Sequence, residues 1–345
     1  LLSDEKYSVT VGKKTVDGTF YNTTVPSMHQ RKFDVGESVT CVPPNDLPRL
    51  AAQYNHFTIL GGGKTAMDSI VWLLDNGANP KDISWICPRD SWLINRASTQ
   101  PGAAFFEKST GGFADNIEAM RNATSVQDLF ERMEKAGTML RIDASVWPTM
   151  FHYATISEGE VKQLQRINDI IRGQRVARLE ADRMVMQSGE TVTSPPSTIY
   201  IDCTARAVVF VGESVKPVFN GDIITLQAVF APLVTYSAAV IAYVEANFES
   251  EKEKNDLCPP VELADTPEEW IASTIGNIMN SFLWSQNKEM NKWTATCRLS
   301  PSSAAIKEGA GRSPEHQELI NRIRQNTLPG VMNARKLMEE LPPSD

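Results

Sequence analysis

Two short apolar blocks stand out in the first hundred residues, His56-Phe57-Thr58-Ile59-Leu60 and Ile83-Ser84-Trp85-Ile86-Cys87. Between them Ala66, Ile70, Leu73 and Leu74 recur at helical spacing, and Asn76-Gly77 closes the run. A block of aromatic and β-branched residues that halts on a turn reads as a buried strand, and a three-to-four spacing reads as an amphipathic helix. The pattern therefore predicts strands over 56–60 and 83–87, joined by a helix from about Thr65 to Asp75. Two strands so connected lie parallel, with the crossover right-handed.

Elsewhere the pattern is less regular. Residues 1–50 read as short strands and loops, with 7–11 and 14–17 strand-like and 42–48 an extended, proline-rich linker. The Gly-, Ser-, Thr- and Asn-rich stretch 91–125 reads as a long loop with a helical turn at most. Ser125 opens a helix to Lys135 that stops at Gly137, and Ser157-Glu158-Gly159-Glu160 is a capping box before a helix through Ile170-Ile171. Residues 174–180 and 183–187 form a hairpin-like pair with a third strand at 190–193. A strand over 198–203 stops at Thr204-Ala205, and a strand-loop over 218–222 leads to a helix over 236–248. The charged run 249–254 reads as a solvated linker. Helices then start at Thr266-Pro267-Glu268-Glu269 and Ser313-Pro314, and Pro342-Pro343 ends the chain. Trp270, Phe282, Trp284 and Trp293 read as packing residues of this helical tail.

The chain has 345 residues, enough for two domains or for one domain inserted in another, and its 41% hydrophobic share is that of a globular protein. A net charge of −8 without a basic cluster argues against nucleic acid or an anionic membrane surface as partner. No apolar run approaches the ~20 residues of a membrane span, and the start shows neither a signal peptide nor an initiator methionine, as in an incomplete chain. Five cysteines without a C-x-x-C pair suit free core thiols in a reducing, cytoplasmic setting. Four scattered histidines suggest no metal cluster.

Chemistry concentrates where the first block ends. Gly61-x-Gly63-x-x-Ala66 is the G-x-G-x-x-A form of the dinucleotide fingerprint, placed between strand and helix as that motif requires. Glycines admit the pyrophosphate to the backbone, and the N–H groups of Lys64 and Thr65 at the helix start favour its charge. Gly61, Gly62, Gly63, Lys64 and Thr65 are the candidate cradle; a turn without a ligand is the competing reading. Gly63-Lys64-Thr65 also resembles the end of a Walker A loop, but the glycine that motif needs falls on Thr58, inside the strand. The end of the second strand meets the adenosine ribose, where an arginine suits NADP and an acidic residue NAD. Arg89 comes first, with Arg96 or Lys64 as a second cation; NADP is favoured, and Asp90 keeps NAD open.

The stretches 59–68, 85–96 and 201–205 together resemble FAD/NAD(P)-binding oxidoreductases related to flavin-containing monooxygenases and pyridine-nucleotide flavoprotein reductases. The likeness covers about residues 15–248 and is most specific over 57–96. It implies an α/β fold in which a Rossmann-like NAD(P)-binding domain (51–197) is inserted in a partial FAD-binding domain (1–50 and 198–250), with a helical extension over 251–345. Thr204 would stand at the family's A-T-G type turn, and Asp222 would match the carboxylate that meets the flavin's ribityl chain. The implied activity is hydride transfer from NADPH to FAD, with oxygen or another small molecule as acceptor. The chain departs from the family in two ways. A first G-x-G-x-x-G for FAD is missing, since Gly309-x-Gly311 follows no strand, and His29 lacks the glycine of the F-x-G-x-x-x-H signature. The alternative is a dinucleotide-binding module without turnover.

Overall fold

The structure, a computed structural model, describes residues 6–206, 209–210, 215–301 and 312–340. The first five residues, Gly309, Gly311, Pro342 and Pro343 lie outside them. The described chain forms a mixed α/β protein with a helical C-terminal part, divided into two compact units. The larger takes residues within 23–207, 264–272 and 301–345, and the smaller those within 1–22, 208–263 and 273–300.

The larger unit is built on five parallel strands. In chain order these are β1 (Cys41–Val42), β2 (His56–Leu60) and β3 (Ile83–Cys87), then, after intervening elements, the strands Asp169–Arg172 and Thr198–Asp202. Between them come β4 (Ser91–Asn95) and β5 (Met150–Ile156), so the last two are β6 and β7. The sheet order is β6-β3-β2-β7-β1. Helix α1 (Lys64–Asp75) connects β2 to β3, within one residue of the predicted start. Every residue of β2 and β3 is buried, as in a sheet covered on both faces. The pleat sorts their side chains. Ile59, Trp85 and Ile201 pack with Ala66, Ile70 and Leu73 of α1, while Leu60, Ile86 and Tyr200 point to the other face. There they meet Val176, Leu179, Met184 and Met186 of the antiparallel strands Val176–Leu179 and Arg183–Met186, where the hairpin is predicted.

The predicted boundaries at 50/51 and 197/198 do not coincide with those of the units. β1 and β7, assigned to a flanking domain, are strands of the same sheet as β2. A linear pattern reveals that a segment is a strand but not which strand it pairs with.

Five further segments differ from expectation. Residues 91–125 hold β4 and a 17-residue helix, α2 (Phe106–Asn122). Its glycines conceal it in the sequence, yet Gly112 lies so close to Ser98 that a Cβ there would be 2.9 Å from the Ser98 Cβ. The long helix Pro314–Glu339 lies along α2 in the same way, with Gly330 against the Ile117 carbonyl. Arg322 bonds both Asp115 and Glu118 across that contact. The capping box at Ser157 forms as expected, but its helix ends at Leu164, and the β-branched Ile170-Ile171 pair lies in β6. Residues 44–50 are short helical turns rather than an extended linker, and 7–11 form no strand. In the smaller unit the charged run 249–254 enters a helix, Glu251–Leu257. Its Lys254 is only 4% exposed, because it bonds Glu245 at 2.7 Å.

The smaller unit pairs Thr15–Asp17 with Ile223–Thr225, and that strand with Phe219–Asn220. Its core gathers Val218, Phe219, Tyr236, Val240, Val244, Trp284 and Met290. Trp270 and Trp284 are buried, whereas Phe282 is 59% exposed and packs little. No helix among the described residues is long and apolar enough to cross a membrane.

Candidate functional site

The glycine loop follows β2 at the C-terminal ends of three adjacent parallel strands. β2 continues the chain to β3 on one side and pairs with β7 on the other, and ligands of open parallel sheets bind where the order reverses in this way. Gly61 adopts φ +122°, donates its N–H to the Ile86 carbonyl (2.9 Å) and accepts a bond from Trp85 Nε1 (2.7 Å). A Cβ at Gly61 would be 2.6 Å from the Cys203 carbonyl oxygen, and one at Gly62 would be 2.8 Å from that of Arg89. Both glycines are thus required by the protein's own backbone, wedged between the ends of β7 and β3. Gly63 differs. It precedes α1 with φ −88° and ψ 178°, no side chain caps the helix, and a Cβ there would meet nothing within 4 Å. Open space therefore faces the helix start, whose first N–H groups, those of Lys64 and Thr65 included, have no partner within the helix.

The cations divide into two groups. Lys64 and Arg96 converge on Glu160, at 3.4 and 3.3 Å, and Lys64 also pairs with Asp68. Burial opposes the Glu160 charge, but hydrogen bonds from the Ser157 hydroxyl and N–H, with Lys64 and Arg96 beside it, bring its pKa down to about 2. These two predicted cations are brought together with each other, around a carboxylate. Arg89 stands apart from them, exposed and without a carboxylate partner among the described residues. Partial burial, then Arg175 and Arg206, weaken its hold on a proton without discharging it. Asp90, the residue that keeps NAD open, is taken up by Arg172 at 2.9 Å.

Thr204 donates its N–H and hydroxyl to Asp202, at 3.0 and 2.7 Å. The same buried carboxylate accepts from Arg31 Nε at 3.2 Å and bonds His29 Nε2 at 2.9 Å, so it pins segment 29–31 onto the end of β7. Asp222 belongs to the smaller unit, exposed in the turn between Phe219–Asn220 and Ile223–Thr225, and its carbonyl accepts the Thr15 N–H. Cys87 and Cys203 flank the loop, but burial raises both thiols to about 12, so neither is a ready nucleophile. Among the described residues no three His, Cys, Asp or Glu side chains are grouped to hold a metal.

One charged group of the larger unit went unread in the sequence. His152 Nδ1 lies 3.2 Å from Asp265 Oδ1, and Arg206 pairs with the other oxygen of that carboxylate. The run Met150-Phe151-His152-Tyr153-Ala154 carries the signal, an aromatic strand interrupted by a histidine.

No protein-family model matches the chain. It is 41% identical over 298 residues to uncharacterized proteins of Mycobacterium tuberculosis and of Mycobacterium bovis. The match takes in 86% of this chain and 55% of each relative, so the chain spans about half the length of the curated relatives it matches.

Proposed function

We propose that the larger unit is a Rossmann-like domain that binds NADP(H) at the Gly61–Gly63 loop, with Arg89 holding the 2′-phosphate. The open space beside Gly63, at the uncapped start of α1 and at the reversal of the strand order, is the observation that supports this reading. A pyrophosphate there accepts from the N–H groups of Lys64 and Thr65 and is favoured by the helix dipole. Lys64 itself spans Asp68 and Glu160 and fixes the first turn of α1 against the capped start of the helix Glu158–Leu164. Arg89, without a carboxylate partner among the described residues, is a cation that can meet the ribose phosphate. The preference for NADP over NAD rests on it, and Asp90 is engaged elsewhere.

In the wider reading the chain is the nucleotide-binding part of an FAD/NAD(P) oxidoreductase. The chemistry would then be hydride transfer from the nicotinamide to a flavin, which the cofactors supply and the protein positions. The resemblance over 57–96 supports this. Among the described residues no second glycine-rich strand-to-helix turn occurs, and Thr204 is already committed to Asp202. The FAD part of the reading therefore rests on the likeness alone.

Titration of the purified protein with NADPH and NADH tests the core of the proposal. NADPH should bind more tightly, and Arg89→Ala should weaken it about 10- to 100-fold, the worth of a charge-assisted contact of about 1.5–3 kcal/mol, while leaving NADH nearly unchanged. An unchanged NADPH/NADH ratio would remove the assignment of Arg89. An absorption band near 450 nm in the purified protein separates a flavoprotein from a binding module without turnover.

A further inference from the structure

Lys64 is the first residue of α1, and the first turn of that helix holds no acidic residue. The helix dipole opposes a cation there, since it favours negative charge at this end. Pairing with Asp68 does not remedy this, because a lysine four residues before an acid is the weaker orientation of such a pair. Helix stability therefore gives no reason for a lysine at this position. An anion does, because it would meet the ammonium, the N–H groups of the helix start and the dipole in one place.

The structure shows where that charge is kept. Lys64 Nζ bonds Asp68, one turn along α1, and Glu160 Oε1 of the neighbouring helix Glu158–Leu164 at 3.4 Å. Glu160 does not depend on Lys64. Its Oε2 accepts the Ser157 N–H at 2.8 Å and the Ser157 hydroxyl at 2.7 Å, and Arg96 Nη2 donates to the same oxygen at 3.3 Å. Arg96 is fixed there by a further bond to the Thr155 carbonyl. Departure of Lys64 thus strands neither carboxylate, since Glu160 keeps Arg96 and Ser157 and Asp68 is exposed to water. Pairs so placed are cheap to break, and the ammonium is carried on a flexible four-carbon stem.

We propose that the Lys64 side chain is a pyrophosphate ligand, held by Glu160 and Asp68 and handed to the phosphate when a dinucleotide binds at the Gly61–Gly63 loop. Glu160 is then the competing counter-ion that sets the affinity, and Arg96 stays with it. The inference rests on the dinucleotide reading above and adds to it a side-chain ligand and the carboxylates that restrain it. The exchange is of ion pairs alone, with no covalent step.

Calorimetric titration of the full chain with NADPH and with NADH, across a double-mutant cycle, tests the transfer. Glu160→Gln removes the charge but keeps the capping box, in which glutamine serves as well as glutamate. It should tighten both nucleotides about two- to fivefold, the worth of a partly exposed ion pair, and Asp68→Asn should do so independently. Lys64→Gln should weaken both several-fold, and in that background Glu160→Gln should bring no gain. The NADPH/NADH ratio should stay that of wild type in each variant, because the pyrophosphate is common to the two. Weaker or unchanged binding in Glu160→Gln would show that the cluster only braces the helix start. A gain that persists without Lys64 would show plain charge repulsion, and a ratio that moves with Lys64→Gln would place the lysine on the 2′-phosphate. Each of these would overturn the transfer while leaving the dinucleotide reading intact. Binding of neither nucleotide by wild type would overturn both.

Discussion

At the scale of single residues, the three glycines after β2 separate into two kinds. Gly61 and Gly62 are held against backbone oxygens at 2.6 and 2.8 Å from where a Cβ would stand, so Gly61→Ala should destabilise the fold by about 2–3 kcal/mol, by steric conflict and by the strain of φ +122°. Gly63→Ala should leave the melting temperature almost unchanged, since its Cβ meets nothing. Gly63→Val should abolish NADPH binding in the same folded protein. Thermal melts beside binding titrations distinguish the two kinds, and a strongly destabilised Gly63→Ala would show that the space is not open. Glu160 makes a further prediction. Its pKa in the fold, about 2, lies below the ordinary 4.5, so its ionised form stabilises the fold above the ordinary value. That contribution is lost as pH falls toward 2. Glu160→Gln should therefore lower stability at neutral pH and flatten the acid limb of a denaturation series between these values. An acid limb identical to wild type would show that the Lys64–Glu160–Arg96 cluster is not maintained in solution.

At the scale of elements, the strongly periodic segments were legible and the compensated ones were not. β2, α1 and β3 satisfy strand and helix patterns in their own residues, and the observed bounds agree to within one residue. Ser125, Ser157 and Ser313 cap their helices with their own side chains, a local interaction that a sequence carries whole. α2 was hidden because glycine is a poor helix former on its own. Its stability comes from its partner helix, through Arg322, Asn326 and the close approach at Gly330, where a Cβ would be 3.0 Å from the Ile117 carbonyl. Gly330→Val should part this helix pair and speed proteolysis within 106–122 and 314–339, whereas Gly77→Ala, at a φ of +87° in open space after α1, should cost only local strain. Equal cleavage in wild type and Gly330→Val would show that the pair does not depend on that contact.

At the scale of the molecule, the two units carry separate apolar cores, one around Ile59, Ile70 and Trp85 and the other around Phe219, Val240 and Trp284. Two cores in one chain make unfolding depart from a single two-state step. Ile70→Ala and Val240→Ala, each costing about 2–5 kcal/mol in a packed core, should lower different transitions in a calorimetric scan. A common shift of one sharp transition by both variants would show that the cores melt together. The smaller unit also contains a buried ion cluster. Burial works against the Glu245 charge, but Lys254 and Lys14 hold its carboxyl below the usual range. In the sequence Lys254 belongs to a run that looks fully solvated, because its partner lies in another helix.

The sequence by itself determined the strand–glycine loop–helix–strand unit, the capped helix starts and the hairpin over 176–186, all of which depend on interactions between near neighbours. It also placed Arg89 at the end of a strand. Only the tertiary structure decided that β7 and β1 complete the same sheet, that Lys64 and Arg96 are spent on Glu160 and Asp90 on Arg172, and that His152 meets Asp265. These are pairings between residues far apart in the chain, fixed by which strand ends the sheet brings side by side. Composition and periodicity carry no record of them.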